Sequence, residues 1–201
     1  QGINAVHLMM AAISAIEDAP LPEHPEIGPA VMALTDIISQ PHPGHSMIPS
    51  ICRATYDRRT LPGETGEQIL ETFNGLAALE RVQAEIATGR YTTYTGKAMT
   101  VSKFFPAWYL DKEHELVRSA VSGLRACGVA NGLGTWPFNT NATYTAGIQG
   151  IPTIGFGPSK EKLAHIVDEY IELKALHAAA EAYVSMINHI LGNNTGQEDG
   201  K

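Results

Sequence analysis

Apolar residues at Ile3, Val6, Met9, Met10, Ile13 and Ile16 recur at the spacing of one helix face, which predicts a helix over Ile3–Ala19. Asn4 is placed to cap it, and Pro20-Leu21-Pro22 to end it. The proline-rich stretch Leu21–Pro29 has no period and reads as a loop. Val31–Ser39 is short, apolar and bounded by prolines, which suits a strand, and Gln40-Pro41-His42-Pro43-Gly44-His45 reads as a turn. Ile48–Thr60 alternates, with Arg53, Thr55, Asp57 and Arg59 on one face and Cys52, Ala54 and Tyr56 on the other. Thr65-Gly66-Glu67-Gln68 is a capping-box pattern, and Ile69, Leu70, Phe73, Leu76, Leu79 and Val82 carry a second amphipathic helix on through Gly75. A β-rich stretch follows from Ala84 to Phe105. Helix, strand, strand, helix, strand is the order of an α+β sandwich with two helices on one face of an antiparallel sheet.

The pattern changes near Phe105–Trp108, which predicts a domain boundary there. Asp111 is placed to cap a helix carrying Leu116, Val117, Ala120, Val121 and Leu124, which Gly128 stops. A glycine-rich link, a strand at Thr135–Phe138 and a polar turn at Asn139–Asn141 come next. Ile151-Pro152-Thr153-Ile154-Gly155-Phe156 has the look of a buried strand. The last helix is expected from Val167 to Leu191, with Gly192 as its stop and a polar, disordered tail from Asn193 to Lys201. The expected organisation is therefore one domain over residues 1–105, a second over 106–192, and the tail over 193–201.

Composition narrows the class. The chain has 201 residues, 44% hydrophobic and 17% charged, which is the make-up of a globular protein of one domain or two small ones. A net charge of −7 argues against a nucleic-acid partner, and no apolar run approaches the roughly 18 residues of a membrane span. Cys52 and Cys127 make neither a disulfide framework nor a zinc knuckle, and the opening Gln1-Gly2-Ile3-Asn4 shows no targeting signal. A cytoplasmic setting is the expectation. Asn141-Ala142-Thr143 and Asn193-Asn194-Thr195 then fit the glycosylation sequon by chance.

Several residues carry candidate chemistry. His165 follows the Ile151–Phe156 stretch and precedes the last helix, with Asp168 and Glu169 three and four residues later. It reads either as a metal ligand or acid/base, or as a helix cap with two carboxylates complementing the dipole. Arg58-Arg59 after Asp57 offers a bidentate fork for a carboxylate, or a surface ion pair with Asp57. Phe138-Asn139-Thr140-Asn141-Ala142-Thr143 can hold polar substrate groups, or can simply turn the chain. His42 and His45 read as solvated, and His7, His177 and His189 as surface or core-edge residues of helices. There is no glycine-rich phosphate loop, no Ser-His-Asp order and no H-E-x-x-H.

Four stretches together resemble the zinc aminoacylase and exopeptidase superfamily, which includes acetylornithine deacetylase, succinyl-diaminopimelate desuccinylase and carboxypeptidase G. Gly2-Ile3-Asn4-Ala5-Val6 is similar to the start of its first lid-domain helix. Ile48-Pro49 through Tyr56-Asp57-Arg58-Arg59-Thr60 and Pro62-Gly63-Glu64-Thr65 resemble its central lid strand and the following turn. Asn139-Thr140-Asn141 with Gly147–Pro158 resembles the substrate loop and a core strand, and Ala164-His165 with Glu169 resembles the closing metal-ligand motif Ala-His-x-x-x-Glu. Tyr94-Thr95-Gly96 and Phe105-Pro106-Ala107-Trp108 are most similar to the branch named for selenium metabolism. Ser46 departs from the pattern, standing where relatives often carry Asn.

The resemblance implies a ferredoxin-like α+β lid followed by the C-terminal part of an α/β catalytic domain of zinc-exopeptidase type. It implies a dinuclear-zinc hydrolase that cleaves an amide bond beside a free carboxylate, such as an N-acyl amino acid or dipeptide. In that family two metals bridge a water that a glutamate deprotonates. It further implies a homodimer formed through the lid. Carried over, Arg59 anchors the carboxylate, Asn139, Thr140 and Asn141 form the substrate loop, and His165 is one zinc ligand. The family's His-x-Asp, bridging Asp and Glu-Glu pair have no counterpart here, nor does its lid His. No catalytic residue is therefore expected in this chain, which is expected to be a fragment, inactive without an N-terminal half. The alternative is a non-catalytic dimerisation or ligand-binding module of the same fold, pairing edge strands with a second copy.

Overall fold

Asn4 opens the first helix as its composition suggests: its Oδ1 accepts the Val6 amide at 3.0 Å, and helix α1 runs over Ala5–Glu17. The amide of Ala5 donates to the Pro49 carbonyl at 3.0 Å, so two of the motif stretches meet at this helix start. The structure, a computed structural model, describes residues 2–129 and 132–194. It divides into two compact units. The first comprises residues up to Trp108 together with Pro137–Ile148; the second comprises Tyr109–Trp136 and the chain from Gln149 on.

In the first unit the proline-rich stretch is not wholly irregular. It holds a miniature pair, β1 (Glu23–His24) and β2 (Gly28–Pro29), turned by Gly28 at φ +88°. Strands β3 (Val31–Gln40) and β4 (Ile51–Arg59) form an antiparallel hairpin, with Met32 opposite Arg58, Leu34 opposite Tyr56 and a bulge between Leu34 and Asp36. Along β4 the side chains alternate as the sequence predicts, Cys52, Ala54, Tyr56 and Arg58 half-buried and Arg53, Thr55, Asp57 and Arg59 exposed. Helix α1 lies against β4 and also reaches the 3-10 turn Ala77–Leu79.

Helix α2 (Gly66–Asn74) carries the full capping box, Thr65 and Gln68 each bonding the other's backbone amide. It ends at Gly75, well short of Val82, because Gly75 is its C-cap and the chain then tightens into the 3-10 turn. The β-rich stretch is a second hairpin, β5 (Thr88–Thr92) and β6 (Ala98–Ser102), turned by Gly96 at φ +83°. It pairs with itself and not with β3–β4, so the expected single sheet is instead three two-stranded sheets. A five-residue turn brings β5 and β6 together at small entropic cost, and their ladder is then satisfied locally.

The second unit is built on two helices, α3 (Glu115–Ala126) and α4 (Leu173–Asn194). Asp111 does not cap α3: its carboxylate accepts the Glu113 amide at 2.7 Å in a preceding turn, and His114 Nδ1 accepts the Leu116 amide at 3.1 Å as the true cap. At the far end Cys127 is the C-cap and Gly128 takes φ +73°. Ala120, Leu124, Ala182 and Met186 make the buried cluster between α3 and α4. The helices approach so closely at Gly123 that a Cβ there would lie 2.6 Å from Met186 Cα, and Ser185 Oγ donates to the Gly123 carbonyl at 2.7 Å.

No strand forms among the described residues of this unit, at Thr135–Phe138 or at Ile151–Phe156. Ile154 and Phe156 pack on the α3–α4 cluster, Tyr183 Oη donates to the Phe156 carbonyl at 2.5 Å, and Trp136 covers Gly155. The segment is thus held by side chains while no neighbouring strand pairs its backbone, and Ile151 stays exposed. Helix α4 begins six residues later than Val167. His165 and Asp168 sit at φ +61° and +59°, a left-handed backbone that no right-handed helix can include. It also runs past Gly192 to Asn194; the remainder of the expected tail lies outside the described residues. Among the described residues, no helix is long and apolar enough to cross a membrane.

Candidate functional site

Arg59 is the last residue of β4, on the exposed face, and its guanidinium meets Asp57 at 3.0 Å. Side chains two apart on one strand share a face, so the pair is a local product of alternation. Arg58, on the opposite face, does something different. Its Nη2 donates to Glu64 Oε1 at 2.6 Å, while Glu64 Oε2 accepts the Leu61 amide at 2.7 Å. One carboxylate thereby binds the end of β4 to the turn that follows, in which Gly63 takes φ +89°. Of the two arginines, Arg58 is tied into the structure and Arg59 presents its charge outward.

Next along the chain, half-buried Thr60 grips the linker after the second hairpin. Its Oγ1 donates to the Phe105 carbonyl at 3.2 Å and accepts the Ala107 amide at 3.1 Å. The same linker is held from another side: Thr143 Oγ1 donates to the Pro106 carbonyl at 2.7 Å. Thr143 opens a π-helical turn, Thr143–Ile148, in which Gly147 lies so close that a Cβ would be 2.7 Å from the Pro106 oxygen. Just before it come Asn139 and Asn141, both exposed, and Thr140, whose Oγ1 accepts the Ala142 amide at 3.1 Å. The first unit therefore holds Arg59 and the Asn139–Asn141 loop together. Thr60, Thr143 and Gly147 stand inside motif stretches of the sequence, but nothing in those stretches foretells their contact with the 105–107 linker, since a lone hydroxyl or glycine carries no periodic signal.

His165 lies in the second unit, exposed, in the irregular stretch before α4. Its own backbone amide donates to Glu169 Oε2 at 2.8 Å, so the Ala-His-x-x-x-Glu spacing closes a local turn, and His165 caps no helix. Zinc sites need three or more protein ligands. Among the described residues no group of three His, Cys, Asp or Glu side chains is placed to hold a metal, so these residues do not by themselves fit a zinc ion. His7, His42, His45 and His177 are exposed, and half-buried His189 meets the Ser185 carbonyl through Nδ1 at 2.8 Å.

Two groups on the inner face of β4 have displaced titrations. Burial pushes the Cys52 thiol up. Burial, and secondarily the charge of Glu17, pushes the Tyr56 phenol up. Tyr56 Oη and Arg58 Nε are both buried with no hydrogen-bond partner among the described residues.

With this geometry in place, two comparisons bear on identity. The chain is similar to the uncharacterized protein YgeY of Escherichia coli K12 and of E. coli O157:H7, each 31% identical over 147 residues. The matched region is 72% of this chain but 36% of those proteins, so the chain spans only about a third of the length of these curated relatives. Residues 1–85, which hold α1, the β3–β4 hairpin with Arg59, and α2, match the family of the peptidase dimerisation domain, M20_dimer. The first 85 residues are thus similar to the dimerisation domain of the M20 peptidases.

Proposed function

We propose that this chain supplies the dimerising lid and the C-terminal segment of an M20-type metallohydrolase acting on an amide bond beside a free carboxylate. The observation that carries the proposal is the match of residues 1–85 to a peptidase dimerisation domain. The geometry of Arg59 supports it. A substrate carboxylate needs a planar, outward-facing donor, and Arg59 offers one whose present partner, Asp57, is an exposed ion pair easily exchanged for a ligand.

On this reading Arg59 anchors the carboxylate and Asn139, Thr140 and Asn141 supply polar contacts to the rest of the substrate. His165 gives one zinc ligand, and the remaining ligands come from parts of the hydrolase outside this chain. The lid makes the homodimer. The test is the full-length protein with added zinc, assayed on N-acyl amino acids and dipeptides and weighed by light scattering. Hydrolysis by a dimer, with none by the 201-residue chain alone, is the expected result. A full-length monomer with no such activity would refute it.

A second reading, a non-catalytic dimerisation module, draws on the same domain match and on the want of a three-ligand cluster among the described residues. It differs in one measurable respect. A module dimerises as the 201-residue chain, and zinc alters neither its stability nor its activity in any longer form.

A further inference from the structure

Two threonine side chains and one glycine, from two separated parts of the sequence, converge on one three-residue linker. Thr60 bonds both Phe105 and Ala107, Thr143 bonds Pro106, and Gly147 permits the close approach. Pro106 has no amide to exchange for another partner, and its carbonyl takes the shortest of these three bonds. The gripping residues adjoin the candidate substrate contacts: Thr60 follows Arg59 directly, and Thr143 stands two residues after Asn141. The segment that carries Thr143 and Gly147 is a six-residue π-helical turn, a conformation that is rare and recurs at functional sites.

We infer that Thr60, Thr143 and Gly147 clamp the Phe105–Ala107 linker and so set the Asn139–Asn141 loop in register with Arg59. They are positioning residues, and this role rests on the reading of Arg59 and the loop as substrate contacts. The clamp is selective for shape as well as polarity. Valine at position 143 keeps the branched bulk and removes the hydroxyl that donates to Pro106, whereas serine keeps the donor. Alanine at position 147 would drive its methyl against the Pro106 carbonyl, so the π turn must lift away.

The experiment has two arms. In the first, backbone amide exchange is followed in the 201-residue chain for wild type, Thr143→Val, Thr143→Ser and Gly147→Ala. Thr143→Val and Gly147→Ala are expected to speed exchange across residues 141–148 by about three- to tenfold, the worth of one net hydrogen bond, with Thr143→Ser close to wild type. Unchanged exchange in both Thr143→Val and Gly147→Ala would overturn the clamp. In the second arm the same variants are made in the full-length hydrolase. Thr143→Val is expected to raise KM about tenfold with a smaller change in kcat, and Thr143→Ser to restore it. Loosened exchange with an unaltered KM would overturn the positioning role. A wild-type protein that hydrolyses no amide while exchange follows the expected order would sink the hydrolase reading and leave the clamp standing, so the two failures are distinguishable.

Discussion

The adjacent arginines give the sharpest prediction, because the structure ties Arg58 to Glu64 and leaves Arg59 exposed. Arg58→Ala removes a charge-assisted bond of 2.6 Å between side chains only 12% and 17% exposed. Bonds to charged groups of this kind contribute about 1.5–3 kcal/mol. Part of that loss is offset, since Arg58 Nε is buried without a partner and its removal relieves that burden. Glu64 also keeps the Leu61 amide, so the turn is loosened but not released. A net destabilisation of about 2 kcal/mol is expected. Arg59→Ala removes an ion pair whose partners are 48% and 54% exposed, worth at most about 0.5 kcal/mol after screening by water and salt.

Urea denaturation of the two variants at one pH separates them. Arg58→Ala should lower the midpoint at constant slope, and Arg59→Ala should superimpose on wild type within error. If the full-length protein is the hydrolase we propose, the order reverses there: Arg59→Ala should lower kcat/KM at least tenfold, about 1.4 kcal/mol of transition-state binding, with stability retained. Equal destabilisation by the two, or a larger loss from Arg59→Ala, would refute the assignment of Arg58 to the fold and Arg59 to the ligand.

Other expectations follow from single contacts. Tyr56→Phe should stabilise the chain by about 1 kcal/mol, read as a higher urea midpoint, because it deletes a buried hydroxyl without a partner and keeps the ring. The same variant should flatten the alkaline limb of stability. The folded phenol ionises above its ordinary value, so its contribution is full below about pH 10 and is lost as pH rises through the folded value; equal alkaline slopes in both proteins would contradict this. Gly123→Ala should cost at least about 1–3 kcal/mol, since its Cβ meets the Met186 backbone at 2.6 Å, and an unchanged melting temperature would disprove that packing. Val184→Lys with Ile187→Lys should leave stability nearly unaltered and reduce self-association in sedimentation velocity, both side chains being more than half exposed.

What proved readable in the sequence was whatever one element decides for itself. Asn4 and Thr65 cap helices where their spacing says, and the alternation of β4 sorts Arg59 from Cys52 and Tyr56. Gly75 is not legible as an end, because the apolar positions beyond it continue the helical period into a 3-10 turn. Propensity favours Asp111 over His114 as the cap of α3, but the preceding turn engages the Asp carboxylate and leaves the cap to His114. Thr135–Phe138 and Ile151–Phe156 have strand composition, yet composition cannot supply the neighbour that a ladder requires. The clamp on Pro106 is beyond reach for the same reason, as its halves stand 47 residues before and 37 residues after their partners in the linker.

The last helix shows how far such a pattern carries when it is read on both faces. Ala179, Ala182, Met186 and Ile190 recur at helical spacing; the first three are buried, and the last three belong to or pack on the cluster with α3. Leu173, Leu176, Val184, Ile187 and Leu191 recur at the same spacing along another line of the helix, and all of them are exposed. A surface helix has one apolar stripe, and a helix with two belongs between layers. Burying a Leu, Val or Ile side chain contributes about 1.5–3 kcal/mol, so five such residues represent a large reserve of unused stabilisation. The exposed Ile151, in a segment of strand composition without a ladder, adds to it. Under the proposed function this reserve has a use. A hydrolase nearly three times the matched length would supply the layer that covers α4 and the strands that pair with Ile151–Phe156. The loop with Asn139–Asn141 sits instead in the first unit, where Thr143 holds the linker beside it, so on the proposed function the substrate contacts would gain their placement from the lid while the α3–α4 unit would gain its cover from the rest of the enzyme.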